Sequence, residues 1–155
     1  MKLSWTYYFF VALPESTAYT LLAFALLKLP LRWLSIAKIG VIYGTLAYFI
    51  RHLPISFGIH TVILIAIFAA LMSHFTDCKI ASVFLVGLVN MVILGISEIL
   101  SGTFLMNLLG VTYETVQTND WLLVIFVIPQ VILLITLAFI IRKYHIPRGK
   151  GNEVS

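Results

Sequence analysis

The chain has 155 residues, of which 61% are hydrophobic and only 10% are charged. Because about a quarter of the residues in a soluble domain are charged, this composition excludes an ordinary soluble protein and indicates that lipid surrounds most of the chain. Ten Lys and Arg against six Asp and Glu give a net charge of +4, but these residues lie between apolar runs and form no basic stripe for nucleic acid.

Five apolar segments predict membrane-spanning helices. A span needs about 20 mostly apolar residues, and the segments that reach this length are residues 5–27, 33–50, 57–75, 80–109 and 121–141. The connections between them are too short to hold a soluble domain, and residues 142–155 form a basic tail. The sequence therefore predicts a single all-α integral membrane domain, residues 1–155, with five transmembrane helices.

The distribution of Lys and Arg predicts an outside N-terminus and a cytoplasmic C-terminus. Short cytoplasmic loops carry the excess of these residues. In this orientation the outer side holds two of them, Lys2 and Arg51, and the inner side holds Lys28, Arg32, Lys38, Lys79, Arg142, Lys143, Arg148 and Lys150. We expect the tail to lie near anionic lipid headgroups on the cytoplasmic side.

The first span carries an ionisable residue, Glu15, about ten residues from its start. The polar stretch 14–17 interrupts the apolar run where a signal peptide needs its centre, so the span is interpreted as uncleaved. Pro14 removes one helical hydrogen bond beside Glu15. Two interpretations of Glu15 are open: a ligand or proton site, as is common for carboxyl groups at membrane depth, or a carboxyl group that is hydrogen-bonded between helices.

Two amides lie at a depth similar to that of Glu15, namely Asn90 in the fourth span and Gln130 in the fifth. The three side chains are expected to meet in one central layer. They would form a ligand or proton site there, or hydrogen bonds between helices worth about 0.6–2 kcal/mol each, which is the simpler interpretation.

A second polar group is predicted near the outer face. Arg51 ends the second span, His60 lies one turn into the third, and Glu98 lies late in the fourth. We expect Glu98 to pair with Arg51, because two charges that are costly separately compensate each other, and His60 to be a hydrogen-bonded imidazole. Proline and glycine within residues 52–58 predict a turn above this cluster.

Glycines predict two further features of the helices. Gly40 and Gly44 have the GxxxG spacing that lets another helix approach closely. Packing within the chain and a homo-oligomer are both open. The fourth segment would be about 45 Å long, more than the ~30 Å apolar core of a bilayer, so a kink or an end is expected near Gly102.

Enzyme motifs are scarce. The sequence has no P-loop, no HExxH zinc motif and no serine elbow, and its four histidines are scattered, so neither a metal nor a cofactor is predicted. His74 and Cys78 are four residues apart at the end of the third span, a spacing that a membrane Cys/His peptidase would need. This is a remote alternative, because no glycine-rich oxyanion turn accompanies the pair.

Four short motifs, taken together, resemble a known family. They are a PE in the first span (Pro14, Glu15), an R-x-LP-x-x-FGIHT stretch (Arg51, Leu53, Pro54, Phe57, Gly58, Ile59, His60, Thr61), a late glutamate in the fourth span (Glu98) and a PQ in the fifth (Pro129, Gln130). Their succession resembles the five-helix N-terminal sensor region of histidine kinases from spore-forming Gram-positive bacteria. The kinase core of that family has no counterpart in these residues, so the resemblance implies signal perception without kinase activity.

The expected function is therefore that of a non-catalytic sensor-like or interaction module in the membrane. It would relay a ligand, lipid or partner signal to a cytoplasmic or membrane partner, for which the resemblance suggests a histidine kinase. The alternative is a small transporter or channel subunit in which the intramembrane carboxylates line the path. Five spans cannot form two equal inverted halves, which disfavours transport.

Overall fold

The computed structural model describes residues 5–51, 53 and 57–145. Over these residues it contains helices and no strand. The helices are α1 (Trp5–Leu26), α2 (Trp33–Arg51), α3 (Phe57–Thr76), α4 (Ile80–Leu109), α5 (Tyr113–Thr118) and α6 (Asp120–His145). All but the short α5 are long and apolar enough to cross a membrane. The predicted all-α class and the five helices of span length are confirmed.

Helix α1 lies at the centre of the bundle. It packs against α2, α4 and α6. Of its most apolar 18 residues 67% are buried, against 22–39% of the corresponding residues in the other four long helices. The outer helices instead expose large apolar side chains, among them Val41, Val92 and Ile132. Such outward apolar faces suggest contact with a lipid bilayer.

The GxxxG pair is used inside the chain, where α2 packs on α1. A Cβ atom at Gly40 would lie 2.8 Å from Thr17 Oγ1 and 2.9 Å from Thr17 Cα, and one at Gly44 would collide with the Ser16 hydroxyl. Ser16 Oγ also donates a hydrogen bond to the Gly40 carbonyl oxygen at 2.9 Å. The structure therefore uses Gly40 and Gly44 for packing within the chain, which is one of the two interpretations left open by the sequence.

Two reciprocal hydrogen bonds join α1 to α4. Tyr19 Oη donates to the Gly87 carbonyl oxygen at 2.8 Å, and Asn90 Nδ2 donates to the Tyr19 carbonyl oxygen at 2.8 Å. The Tyr19 ring also contacts Tyr43 and Phe68, with centroids 5.6 and 4.8 Å away. Residue 19 therefore holds three neighbouring helices against α1.

Helix α1 ends in a Schellman motif whose last residue also accepts a hydrogen bond from α6. Lys28 adopts a left-handed backbone (φ 56°), the Leu29 amide donates to the Phe24 carbonyl oxygen at 2.9 Å, and the Lys28 amide donates to that of Ala25 at 3.2 Å. Arg142 Nη1 then donates to the Leu29 carbonyl oxygen at 2.8 Å. The last part of α6 is thus tied to the α1–α2 connection.

One expectation about the chain path differs from the structure, and a second is largely untested. Helix α4 continues to Leu109 and stops at Gly110 (φ 63°), so of the expected kink or end near Gly102 the end is wrong. A long helix need not end at the bilayer thickness, because tilt or extension beyond the apolar core accommodates the excess. The turn predicted over 52–58 lies largely outside the described residues, and Gly58 already belongs to α3.

Candidate functional site

The main polar feature of the bundle is an ion pair between α1 and the last residue of α2. Arg51 Nη2 lies 3.3 Å from Glu15 Oε1, and Arg51 Nη1 donates to Tyr7 Oη at 3.2 Å. The Glu15 side chain is 12% exposed and that of Arg51 is 36% exposed. Over residues 5–51, 53 and 57–145 this is the only salt bridge. The pair gives the Glu15 carboxylate a counter-charge within an otherwise apolar bundle.

A π-helical turn, Tyr8–Ala12, brings Tyr7 and Glu15 onto one face of α1. In a regular α-helix, eight residues at about 100° each would leave these side chains roughly 80° apart. One extra residue wound into the π turn reduces this offset to about 20°. At the end of the turn, the Leu13 amide donates to the carbonyl oxygen of Tyr8 five residues earlier. Pro14 follows directly and lacks the amide that a regular turn would use.

A small cavity adjoins the ion pair. Its volume is about 20 Å³, which is room for about one water molecule. Residues from α1 to α4 line it, and its polar boundary consists of Glu15, Ser16, Arg51 and four tyrosines: Tyr7, Tyr19, Tyr43 and Tyr48. Tyrosine rings provide apolar walls with a hydroxyl group that can bond a polar ligand atom. The cavity can therefore hold a water molecule or a very small polar group beside the pair.

The structure buries all three residues of the predicted central layer. Glu15 is 9% exposed, Asn90 0% and Gln130 3%. In the part of the chain that the structure describes, however, no hydrogen bond joins any two of them. Asn90 instead bonds the α1 backbone, and its Oδ1 atom has no partner among the described residues. Among the described residues the three side chains are therefore buried but do not form one hydrogen-bonded site.

The predicted outer cluster is only partly assembled. Arg51 pairs with Glu15, so the expected salt bridge between Arg51 and Glu98 is wrong. The reason is the lateral arrangement of the helices. The close α1–α2 contact places the end of α2 beside α1, whereas Glu98 is exposed on α4. Glu98 still lies within electrostatic range of both charges. His60 Nε2 lies 3.2 Å from the Leu53 carbonyl oxygen and is not part of the pair.

The Cys/His arrangement is not assembled as a catalytic pair. The His74 ring is exposed and packs edge-on against Phe75, and the Cys78 carbonyl oxygen accepts a hydrogen bond from the Ser73 hydroxyl at 2.8 Å. Among the described residues no hydrogen bond joins His74 to Cys78, and no three His, Cys, Asp or Glu side chains are grouped as metal ligands.

The sequence analysis missed the tyrosines of the site, above all Tyr7. Its position eight residues before Glu15 places it on another face of a regular helix, and only the π turn corrects this. The available signal was the proline at position 14 after an aromatic run, which indicates irregular helical winding.

No family model, curated protein or solved structure matches the chain. The chemistry and position of the site are therefore the guide to its function.

Proposed function

We propose that this chain is a non-catalytic sensor or interaction module of a bacterial cytoplasmic membrane, with five transmembrane helices, an outside N-terminus and a cytoplasmic C-terminus. The observation that carries the proposal is the Glu15–Arg51 ion pair. Charged residues at membrane depth are costly and typically mark functional positions. In the proposed orientation this pair lies in the outer half of the membrane.

The pair is suited to exchange partners. Each charge makes one contact with the other, at 3.3 Å, and the guanidinium divides its donors between Glu15 and Tyr7. Because Arg51 is partly exposed, an anionic group arriving from outside can compete with Glu15, and a cationic group can compete for the carboxylate. Either event favours a state in which the end of α2 is no longer bound to α1. A ligand shifts the equilibrium by the difference between its affinities for the two states.

A physical path leads from the pair to the opposite end of the bundle. Glu15 lies on the central helix, and α1 runs from there to the Schellman motif, where the Leu29 carbonyl oxygen accepts the Arg142 hydrogen bond. Any shift of α1 along its axis therefore strains or breaks the contact with the end of α6. This helix leads into the basic tail, so α6 is the proposed output to a cytoplasmic or membrane partner. The resemblance to kinase sensor regions makes a histidine kinase the proposed partner.

A distance measurement between spin labels tests this coupling. The labels are placed at Trp33→Cys and Tyr144→Cys in a Cys78→Ser background, since both native side chains are mostly exposed at the far end of the bundle. We expect Glu15→Gln to shift the mean distance by about 2 Å or to add a second population, as in helix shifts of known switches. The control is Glu114→Gln, an exposed carboxylate on α5. An unchanged distribution in Glu15→Gln contradicts the proposal.

Transport is the competing function, because a carboxylate beside a water-sized cavity is also suited to carry a proton. Proteoliposomes containing a pH-sensitive dye distinguish the two. The sensor proposal predicts proton and solute leakage equal to that of protein-free liposomes. Flux through the wild type that is lost in Glu15→Gln, but retained in Glu114→Gln, refutes it.

A further inference from the structure

A second and larger cavity lies at the end of the bundle opposite the ion pair. Its volume is about 120 Å³, and it lies between the α1–α2 connection, the first turn of α2 and the end of α3. The apolar part of its wall is formed by Phe24, Leu29, Pro30 and Phe75, and the polar part by Arg32, Ser35, Thr76 and Asp77. None of these residues has a role in the sensor mechanism beyond the Leu29 carbonyl contact.

Two opposite charges border this cavity without neutralising each other. Arg32 and Asp77 are both exposed, and in the described part of the chain neither takes part in an ion pair or a side-chain hydrogen bond. Thr76 Oγ1 donates to the Met72 carbonyl oxygen, which leaves its lone pairs free to accept a further bond. The guanidinium and the carboxylate therefore offer their full bonding capacity to a ligand that carries both charges.

We propose that this cavity binds the headgroup of a phospholipid with a primary ammonium group, of the phosphoethanolamine type. The phosphate lies at Arg32 and Ser35, and the ammonium group lies at Asp77. Arginine bonds phosphate oxygens in a bidentate manner, and a carboxylate accepts hydrogen bonds from an ammonium group. The volume equals the liquid volume of about four water molecules, which is sufficient for a group of this size.

The source of this ligand is the membrane, and the inference depends on the proposed membrane insertion. The cavity lies where α2 begins and where α1 and α3 end, which is the level of the headgroups when these helices span a bilayer. Trp33, 59% exposed, adjoins it, and tryptophan is enriched at this level. The adjacent Leu34 side chain is also exposed and offers an apolar surface to an acyl chain.

The charge pattern discriminates between headgroups. A glycerol headgroup presents only neutral hydroxyl groups to Asp77, so the carboxylate keeps no counter-charge. A choline headgroup matches both charges but has no N–H donor for the carboxylate. Of the three headgroups, only ethanolamine offers Asp77 a donor that is also positively charged. We expect a preference of about tenfold over choline, the ratio for one charge-assisted hydrogen bond.

Native mass spectrometry of the whole, delipidated chain tests the proposal. The probes are ethanolamine, choline and glycerol phospholipids with identical acyl chains at equal concentration, and the readout is the bound fraction. Asp77→Asn should bring the ethanolamine-to-choline ratio close to one. Asparagine accepts the left-handed backbone at this position (φ 55°), so this variant should keep its fold. Arg32→Gln should reduce the binding of all three lipids severalfold.

Matched variants remove a like charge outside the cavity. Lys79→Gln at the same end and Glu114→Gln at the other should leave the ethanolamine preference unchanged. Equal binding of ethanolamine and choline lipids by the wild type overturns the proposal, as does a preference that survives Asp77→Asn. If Asp77→Asn fails to fold, Arg32→Gln and Ser35→Ala decide, and undiminished ethanolamine binding in both overturns it. Soluble phosphoethanolamine that displaces the lipid at equal concentration overturns the assignment to a lipid.

Discussion

Replacing Arg51 with methionine removes the partner of a carboxylate whose side chain is only 12% exposed. Breaking a buried ion pair typically costs 3–5 kcal/mol, because the remaining charge stays uncompensated. The Arg51 side chain is 36% exposed, so the pair is partly solvated in detergent and we expect a loss of about 2–3 kcal/mol. Glu15→Met should cost less, about 1 kcal/mol, because arginine can extend its charged end toward water.

The double variant separates pairing from the general effects of substitution. With both charges gone no uncompensated group remains, so the Arg51→Met, Glu15→Met protein should lose only about 1 kcal/mol. The free energy of unfolding is measured by circular dichroism during SDS titration of the protein in detergent micelles. A double-mutant cycle then gives a coupling energy of about 2–3 kcal/mol.

A parallel cycle with Glu98 provides the control. Glu98 lies in the field of Arg51 but forms no salt bridge with it, so Arg51→Met and Glu98→Gln should be additive within about 0.5 kcal/mol. The reasoning is refuted if the losses of Arg51→Met and Glu15→Met simply add, or if coupling to Glu98 is the larger of the two.

Three further results are expected from other contacts. Gly40→Ala should destabilise the protein by at least about 2 kcal/mol in the same SDS titration, because its Cβ would lie 2.9 Å from the backbone of α1. Its control is Gly102→Ala, where the added Cβ faces open space, and this variant should be neutral or more stable by up to about 1 kcal/mol. Tyr19→Phe should cost about 1 kcal/mol through the lost hydrogen bond to α4, measured as a shift of the unfolding midpoint. Cysteines introduced at Trp5→Cys and Tyr144→Cys, in a background without the native cysteine, should react with an impermeant thiol reagent from opposite sides of sealed vesicles; labelling from one side rejects the five-span topology.

The helices were predictable because each of the five long helices is a separate apolar segment of sufficient length to cross a membrane. The predicted start of the second span and both limits of the fourth agree with the helices Trp33–Arg51 and Ile80–Leu109. Burial of Asn90 and Gln130 followed from the same reasoning, since a polar side chain at membrane depth turns inward. These inferences require only the position of a residue along its own helix.

The partner of Arg51 was not predictable in this way. Depth along the membrane normal placed Arg51 and Glu98 at one level, but it contains no information about which helices adjoin laterally. That information was present in the glycines at 40 and 44, which allow α2 to approach α1 closely. The π turn before Glu15 then brings Tyr7 to the same arginine. A change of winding over five residues has no periodic signature in an apolar segment.

If the chain spans a membrane as proposed, the central position of α1 constrains the order of its insertion. In the proposed topology α1 is synthesised before the other four long helices, and it is less apolar than α6. Its buried carboxylate acquires a counter-charge only when Arg51, 36 residues later, has emerged, which takes about 2–7 s at ordinary translation rates. In the proposed topology α1 therefore enters the lipid together with α2, as a hairpin whose two charges are already paired.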